Sequence, residues 1–367
     1  MLDEDELLDR IYEAGAVPEL WPDLLEIFGT IAETDGGLLF TARGEAFHWT
    51  ASPSMVEIVK GYLDRGYLGN DDRTARLMAA DHAGFLIDPD VFTEEEWEAD
   101  PIRRDYFAPR GYGWGIATGI KVPNGDLLVL HGERRLKDGP VPRAAIGRLD
   151  RLRPHFARAA LMSNRVAFER VKGAVAALET VGIPAAVVDD AGRAIATNAL
   201  LDEMTPDVVM PRRARIALAD LAADMVLETA LDNLRARRAL EAPQSIPVAA
   251  REGHPPMVVH VHPVRRSARD VFSSSLAIVL VTPVTVREMP SAALLQGLFD
   301  LTPAEAKVAG ALGGGKTISQ IAAGSGTSAS TIRNQVRSVF TKTGLHRQSD
   351  LVGLLQGISV PKPMAKK

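Results

Sequence analysis

The chain has 367 residues, 46% of them hydrophobic and 24% charged, which is the balance of a globular protein long enough for two or three domains with real cores. It contains no cysteine, so disulfides, thiol catalysis and zinc–thiolate sites are excluded. Its net charge is −5, and no apolar run approaches the roughly 18 residues that a membrane span needs.

In chain order, the first 140 residues mix helices and strands. The opening MLDEDELLDR is acidic and helical in pattern, which argues against a signal peptide. Amphipathic helices are expected at about Asp5–Ala14 and Pro18–Glu33. GLLFTA and GEAFHWTA then read as strands paired across Arg43-Gly44. Helices follow from about Ser54 to Gly66, and again from the Asn70-Asp71-Asp72 cluster to about Asp81. WGIATGIKV and DLLVLHGER are strands joined at Pro123–Asp126, and a helix starts near Pro142. Helices flanking an antiparallel sheet fit an α+β sandwich of the PAS/GAF type.

Aromatic residues concentrate before residue 115, and aromatics with a few polar groups are how small-molecule pockets are lined. Tyr62, Tyr67, Asp71, Tyr112 and Trp114 are therefore the candidate ligand pocket, for a small apolar or aromatic molecule. The stretch from Tyr62 to Asp71, with GYGWGIATGIKVPNG after it, resembles the autoinducer-binding domain of LuxR-type receptors. Tyr62 and Asp71 keep that family's nine-residue spacing. The tryptophan it places four residues before the Tyr is here Ile58, and the proline after the Asp is Asp72. The resemblance implies a related fold, and the change at Ile58 removes the family's usual lactone hydrogen-bond donor.

Residues 141–177 are expected to form a connecting helix, kinked or broken at Pro154. Phe168, Val171, Val175 and Leu178 recur at intervals of 3, 4 and 3, a short heptad seam that could pair across a dimer or pack on the chain's own domain. From 178 to 285 the order is strand, turn at Asp190-Ala191-Gly192, strand, helices and three strands. That order resembles a PAS domain, with Asn198 at the entry of its first helix. His260 and His262 alternate on one strand face. They are read as solvent-facing residues rather than metal or haem ligands, because no carboxylate stands near in sequence. A linker is placed at 286–296.

The stretch from Leu301 to Gln356 reads as four short helices. Thr302 and Glu305 make a capping box, and Thr317 and Gln320 make a second. The second helix is read as closing at Gly324. Ser328 caps a third helix from about Ala329 to Thr343, Gly344 stops it, and a fourth runs from about Gln348 to Gln356. At about 100° per residue, Ile332, Val336, Val339 and Phe340 share one stripe of the third helix, opposite Ser330, Asn334, Arg337 and Thr341. Guanidinium and amide groups on an exposed helix face are what read guanine and adenine edges in a DNA major groove. GALGGGKT lacks the first glycine of a phosphate-binding loop at the required spacing, and its glycines end a helix.

LTPAEAKV, KTISQIA, STIRNQVRSVFTKTG and HRQSDLV, in this order, closely resemble the helix-turn-helix domain of the LuxR/GerE family. One departure is GSGTSAS, where the family usually carries an apolar residue in the turn. The resemblance implies base contacts from Arg333, Asn334 and Arg337, and phosphate contacts from Lys316, Thr317, Ser330, Thr331 and Lys342. It also implies homodimerisation, with Val352 and Leu355 of the fourth helix as the candidate contact. Residues 301–367 hold nine Lys or Arg against Glu305 and Asp350, a net +7, so residues 1–300 carry −12. A basic module on an acidic body keeps phosphate affinity local.

The expected fold class is α+β. Two PAS/GAF-like α/β sandwich sensor domains (1–140 and 178–285) precede an all-α four-helix LuxR-type helix-turn-helix domain (297–357) and a basic tail (358–367). The expected function is that of a cytoplasmic, bacterial one-component transcriptional regulator, not an enzyme. It would bind double-stranded DNA as a dimer, with a small-molecule signal in a sensor domain, no resident metal or certain cofactor, and no membrane partner. The alternative is the same regulator controlled by protein–protein interaction or dimerisation without a ligand.

Overall fold

The computed structural model describes all residues except 1–2, 42–46, 68–70, 122–126, 212–214, 236–242, 252, 265–270, 273–274, 285–288 and 359–367. The turn expected at Arg43-Gly44, the connection at Pro123–Asp126, Asn70 and nearly all of the basic tail lie outside the described residues.

Helix α1 (Glu4–Ala16) is capped by the Asp3 carboxylate, which accepts from the Glu6 N–H at 2.7 Å, and it buries Leu7, Ile11 and Ala14 on one stripe. Helix α2 (Trp21–Ala32) buries Trp21, Leu24, Leu25 and Phe28. They cover one face of a five-stranded antiparallel sheet made of β1 (Gly37–Thr41), β2 (Trp49–Ala51), β3 (Leu86–Ile87), β4 (Tyr112–Lys121) and β5 (Leu127–Arg135), in the order β2-β1-β5-β4-β3. The strands alternate as their period of two requires. Leu39, Leu128 and Leu130 join the α1/α2 core, while Phe40, Leu127 and Val129 turn to the opposite face. That face is covered by α3 (Val56–Asp64), α4 (Asp72–Ala79), α5 (Asp88–Val91), α6 (Glu94–Ala99) and a π turn at Arg103–Phe107. The unit is thus a three-layer α/β/α sandwich.

Helix α7 (Arg143–Thr180) runs unbroken for 38 residues, so Pro154 does not divide it. A proline inside a helix costs about 3 kcal/mol through its lost N–H and ring clash. Here the helix is clamped on both sides of Pro154, by Leu149 and Leu152 before it and Phe156 and Ala159 after it, all in the first core. Its C-terminal turns lie on a second sheet, where Val171, Val175 and Leu178 pack against Ala185, Val187, Ile278 and Leu280. Those three members of the heptad seam therefore face the chain's own sheet. Phe168, the fourth, is 42% exposed.

The second sheet contains β6 (Ala185–Asp189), β7 (Ala194–Thr197), β10 (Gln244–Val248), β11 (Met257–Pro263) and β12 (Ser275–Pro283), in the order β10-β11-β12-β6-β7. Numbered within each sheet, both follow the path 2-1-5-4-3. The face away from α7 carries α8 (Ala199–Asp202), a hairpin of β8 (Val209–Pro211) and β9 (Ile216–Leu218), and α9 (Leu221–Arg235). Asn198 ties these parts together. Its Oδ1 accepts from the N–H groups of Ala185 (3.0 Å) and Leu201 (3.1 Å), and its Nδ2 donates to the carbonyls of Ile183 (2.8 Å) and Val175 (3.3 Å).

The two sheet units are joined by more than α7. Val271 and Phe272, from the β11–β12 connection, sit in the first core, with Phe272 5.3 Å from the Trp21 ring. His48 Nε2 meets Asp190 Oδ2 at 2.5 Å across the other end.

The C-terminal unit is all-helical: α10 (Ala292–Phe299), α11 (Pro303–Gly313), α12 (Ile318–Ser325), α13 (Ala329–Thr343) and α14 (Gln348–Ile358). Helix α10 lies largely in what the sequence marks as linker. It nevertheless belongs to this core, because Leu295 is fully buried with Leu312, Ile332, Val339 and Leu351.

Candidate nucleic-acid interface and sensor pocket

The helix starts of the C-terminal unit are fixed by local chemistry. In the first capping box, Thr302 Oγ1 accepts from the Glu305 N–H (3.3 Å) and Glu305 Oε2 from the Thr302 N–H (2.7 Å). Thr317 and Gln320 repeat the arrangement at 3.3 and 2.8 Å. Helix α12 closes at Gly326, in the left-handed region with φ of 65°, rather than at Gly324. Ser328 then caps α13 through the Thr331 N–H at 3.2 Å.

On α13, Ile332 and Val339 are buried and Val336 and Phe340 half-buried, which fixes the helix's rotation. Arg333, Asn334, Arg337, Ser330, Thr331 and Thr341 are consequently exposed on the outer side. A surface groove of about 610 Å³ runs along this helix, lined among others by Arg333, Val336, Arg337, Phe340 and Leu345. Lys316 and Thr317 are exposed at the start of α12.

Two candidate residues sit differently from their sequence expectation. The Lys342 ammonium donates to Glu305 Oε2 (2.9 Å) and to the Asp300 carbonyl (2.8 Å), so it anchors α13 to α11 within the domain. Ser338 also donates to Glu305, at 2.6 Å, and these hydrogen bonds hold the Glu305 carboxyl at about 2. Leu355 is fully buried in the domain's own core, which corrects its assignment to a partner contact, whereas Val352 on the same helix is half-exposed.

In the first unit, Tyr62, Tyr67 and Tyr112 come together with Tyr106 and Phe107. The Tyr62 ring lies 5.7 Å from Tyr67 and 6.0 Å from Tyr106. Tyr62 donates to Asp71 Oδ2 at 2.6 Å, while Asp71 Oδ1 caps α4 by accepting from the Arg73 N–H at 2.9 Å. Burial, and then Asp71, push the Tyr62 hydroxyl up. Tyr112 donates to Asp35 at 3.0 Å; burial and that bond raise it to about 12. Trp114 stands apart, 6.3 Å from Trp97 and donating to the Leu136 carbonyl.

Beside this cluster the structure places a buried ionic group whose residues are not among the candidates drawn from the sequence. Arg73 on α4 pairs with Glu133 on β5, and its Nε lies 3.7 Å from Asp88 Oδ1. Its guanidinium is flanked by Trp97 (4.5 Å) and Phe107 (4.8 Å). His131 Nε2 lies 3.0 Å from Glu133 Oε1, and the Gly115 N–H donates to Asp88. Burial pushes the Asp88 carboxyl up to about 6. Burial also opposes the charge of Glu133, but Arg73 and His131 outweigh it and hold that carboxyl low. The signal that could have found this group is His131-Gly132-Glu133, two polar residues alternating at the end of a buried strand.

His260 and His262 stand 6.2 Å apart on β11, half-buried, with His260 Nδ1 at 2.8 Å from Ser245 Oγ. Among the described residues no group of three or more His, Asp or Glu is placed to hold a metal ion, and no helix is long and apolar enough to cross a membrane.

No family model matches the chain, and no curated protein matches it. Among solved structures it is similar to CepR2, an N-acylhomoserine lactone dependent LuxR family transcription factor from Burkholderia cenocepacia. The identity is 17% and the TM-score 0.34, covering 44% of this chain and 95% of that one. It is similar to SdiA in complex with octanoyl-rac-glycerol at 12% identity and TM-score 0.30, over 96% of this chain and 95% of that one. It is also similar to VqmA of Vibrio cholerae, described as a LuxR-type receptor, at 15% identity and TM-score 0.22, over 50% and 85%. Similarity at this level identifies neither a function nor a ligand for this chain.

Proposed function

We propose that the chain is a transcription regulator that binds double-stranded DNA as a homodimer through α13, with activity set by a small molecule in its sheet units. The observation that carries this reading is the outer face of α13. Arg333, Asn334 and Arg337 stand exposed together on a helix whose other side is locked into a core, beside the capped start of α12. Charge supports it. Within the domain Glu305 is already paired with Lys342, which leaves exposed Lys307, Lys316, Arg333, Arg337 and Arg347 against the carboxylates of Asp300 and Asp350.

The shared strand path of the two sheets, each with helices between its second and third strands, supports reading both as PAS/GAF-like sensors. Phosphate contacts are assigned to Lys316, Thr317, Ser330 and Thr331. Lys342 holds the recognition helix in place, and Val352 is the residue left for a contact between DNA-binding units.

The test is selection of a preferred site from a random duplex pool with the full-length protein, followed by titration of variants by fluorescence anisotropy. Arg337→Ala and Asn334→Ala are each expected to cost about 1–3 kcal/mol and to relax base preference, while Lys316→Ala lowers the salt slope by about one. If both α13 variants bind the selected site as well as the parent does, α13 is not the reading helix.

A further inference from the structure

The groove beside α13 has an apolar part that the proposed DNA contacts do not use. Ile318, Val336, Phe340 and Leu345 line it, all half-buried against the core of the C-terminal unit. At about 100° per residue, Val336 and Phe340 lie about 160° and 120° round the helix from Asn334, with Arg333 and Arg337 between. A base edge that meets Asn334 therefore leaves Val336 and Phe340 uncovered, and strongly hydrated phosphates make poor cover for apolar side chains.

The charge of the groove is one-sided. Arg333 and Arg337 are exposed members of it, and no carboxylate lines it. Neither guanidinium has an ion-pair or hydrogen-bond partner among the described residues. Glu305, an acid of the same unit, is held on Lys342 and Ser338. The shape of the groove follows the helix. From Arg333 to Gly344 it runs beside α13 for eleven residue steps, about 16 Å at 1.5 Å each, the length of about three helical turns. Apolar residues four apart at Val336 and Phe340, joined by Ile318 of α12 and by Leu345 of the next connection, are the pattern on which an amphipathic helix lays one face.

We infer that this groove docks an acidic amphipathic helix of a partner protein. Leucine or phenylalanine side chains of that helix cover Val336, Phe340 and Leu345, and its carboxylates reach Arg333 and Arg337. A basic helix is disfavoured by the two guanidinium groups, and a wholly polar one by the apolar residues it would leave in water. The same two arginines are proposed above to read bases. On that reading the partner and DNA exclude each other, and the surface serves a protein that takes the regulator off its site.

The experiment selects from a displayed library of helical peptides of about twelve residues against the full-length protein. Retained sequences should carry Leu or Phe at i, i+3, i+4 and i+7 with Asp or Glu beside them. One such peptide, synthesised and labelled, is the probe, and its scrambled form should bind at least about tenfold more weakly. Arg333→Ala and Arg337→Ala should each weaken it at least about fivefold. Val336→Thr replaces one methyl on the flank away from Asn334. It should weaken the peptide about three- to tenfold while leaving affinity for the selected duplex within about twofold. Leu345→Ser is the second such variant, with circular dichroism showing each folded, and excess peptide should displace the duplex from the parent. Retained sequences that are basic or lack an apolar face overturn the inference, as does a peptide that binds both variants as tightly as the parent. If Val336→Thr and Leu345→Ser weaken the duplex as much as the peptide, the groove belongs to DNA. If Val336→Thr instead shifts dimer dissociation in sedimentation with no effect on the peptide, the groove belongs to a second copy. Peptide binding by a parent that binds no duplex supports the docking surface and removes the regulator. Duplex binding with no groove-dependent peptide keeps the regulator and removes the docking surface.

Discussion

Phe272→Ala tests whether the two sheet units act as one mechanical body. Phe272 belongs to the β11–β12 connection of the second unit, yet it is 5% exposed within the core of the first. An aromatic side chain buries roughly 150–250 Å², and truncation to alanine forfeits about 100–150 Å² of that. At about 25 cal/mol per Å² this is about 3 kcal/mol. The cavity left behind moves the cost toward the 3–5 kcal/mol range usual for Phe→Ala. The Trp21 ring, 5.3 Å away and inclined by 49°, contributes about 0.5–1.5 kcal/mol beyond area, recoverable in a double-mutant cycle with Trp21→Leu. Because the side chain joins two units, the loss should fall on their coupling. Differential scanning calorimetry of the full chain should show the transition of the two sheet units split into two, with one component lowered by roughly 5–10 °C. A cost below about 1 kcal/mol, or a transition that keeps its shape, would refute the idea that this residue couples the units.

Asn198→Ala removes four hydrogen bonds in a buried setting and should cost about 2–4 kcal/mol, seen as lost hydrogen-exchange protection at the Ala185 and Leu201 amides. Asn198→Asp should not rescue it at neutral pH, because a carboxylate cannot donate to the Ile183 and Val175 carbonyls; full rescue would contradict the network. Glu305 titrates at about 2 in the folded domain against an ordinary 4.5. Its folded value is depressed, so its stabilisation is present above about 4.5 and is lost as pH falls from there toward 2. Glu305→Gln should flatten that acid limb of the melting curve. Lys342→Ala should lower the melting temperature of the C-terminal unit without changing the salt slope of DNA binding, unlike Lys316→Ala. A reduced slope for Lys342→Ala would return that lysine to the phosphate contacts.

What the sequence makes legible here follows the range of the interaction. A capping box needs a hydroxyl and an acceptor three residues apart, so Thr302/Glu305 and Thr317/Gln320 can be read directly, and the rotation of α13 follows from Ile332 and Val339. Local signals lose resolution where two residues offer the same backbone freedom. Gly324 and Gly326 are equivalent in propensity, and it is the left-handed conformation with its bond to the Ala322 carbonyl that selects Gly326. They fail where tertiary packing overrides them. Pro154 reads as a kink or a break, and the helix is not broken there because apolar residues clamp it on both sides; the seam of Val171, Val175 and Leu178 finds a sheet of its own chain.

The same division separates the two candidate sites. The face proposed to read bases belongs to one helix and is therefore visible in fifteen consecutive residues. The buried ionic group joins Arg73, Asp88 and Glu133, which meet only because β4 and β5 pair and α4 and α5 pack across them. No spacing in the sequence encodes that meeting. Lys342 shows the consequence within a single helix. It lies in the last turn of α13, where a lysine facing a phosphate and a lysine facing Glu305 would leave the same local pattern. Only the packing of α11 distinguishes them, and it places this lysine on Glu305 and the Asp300 carbonyl.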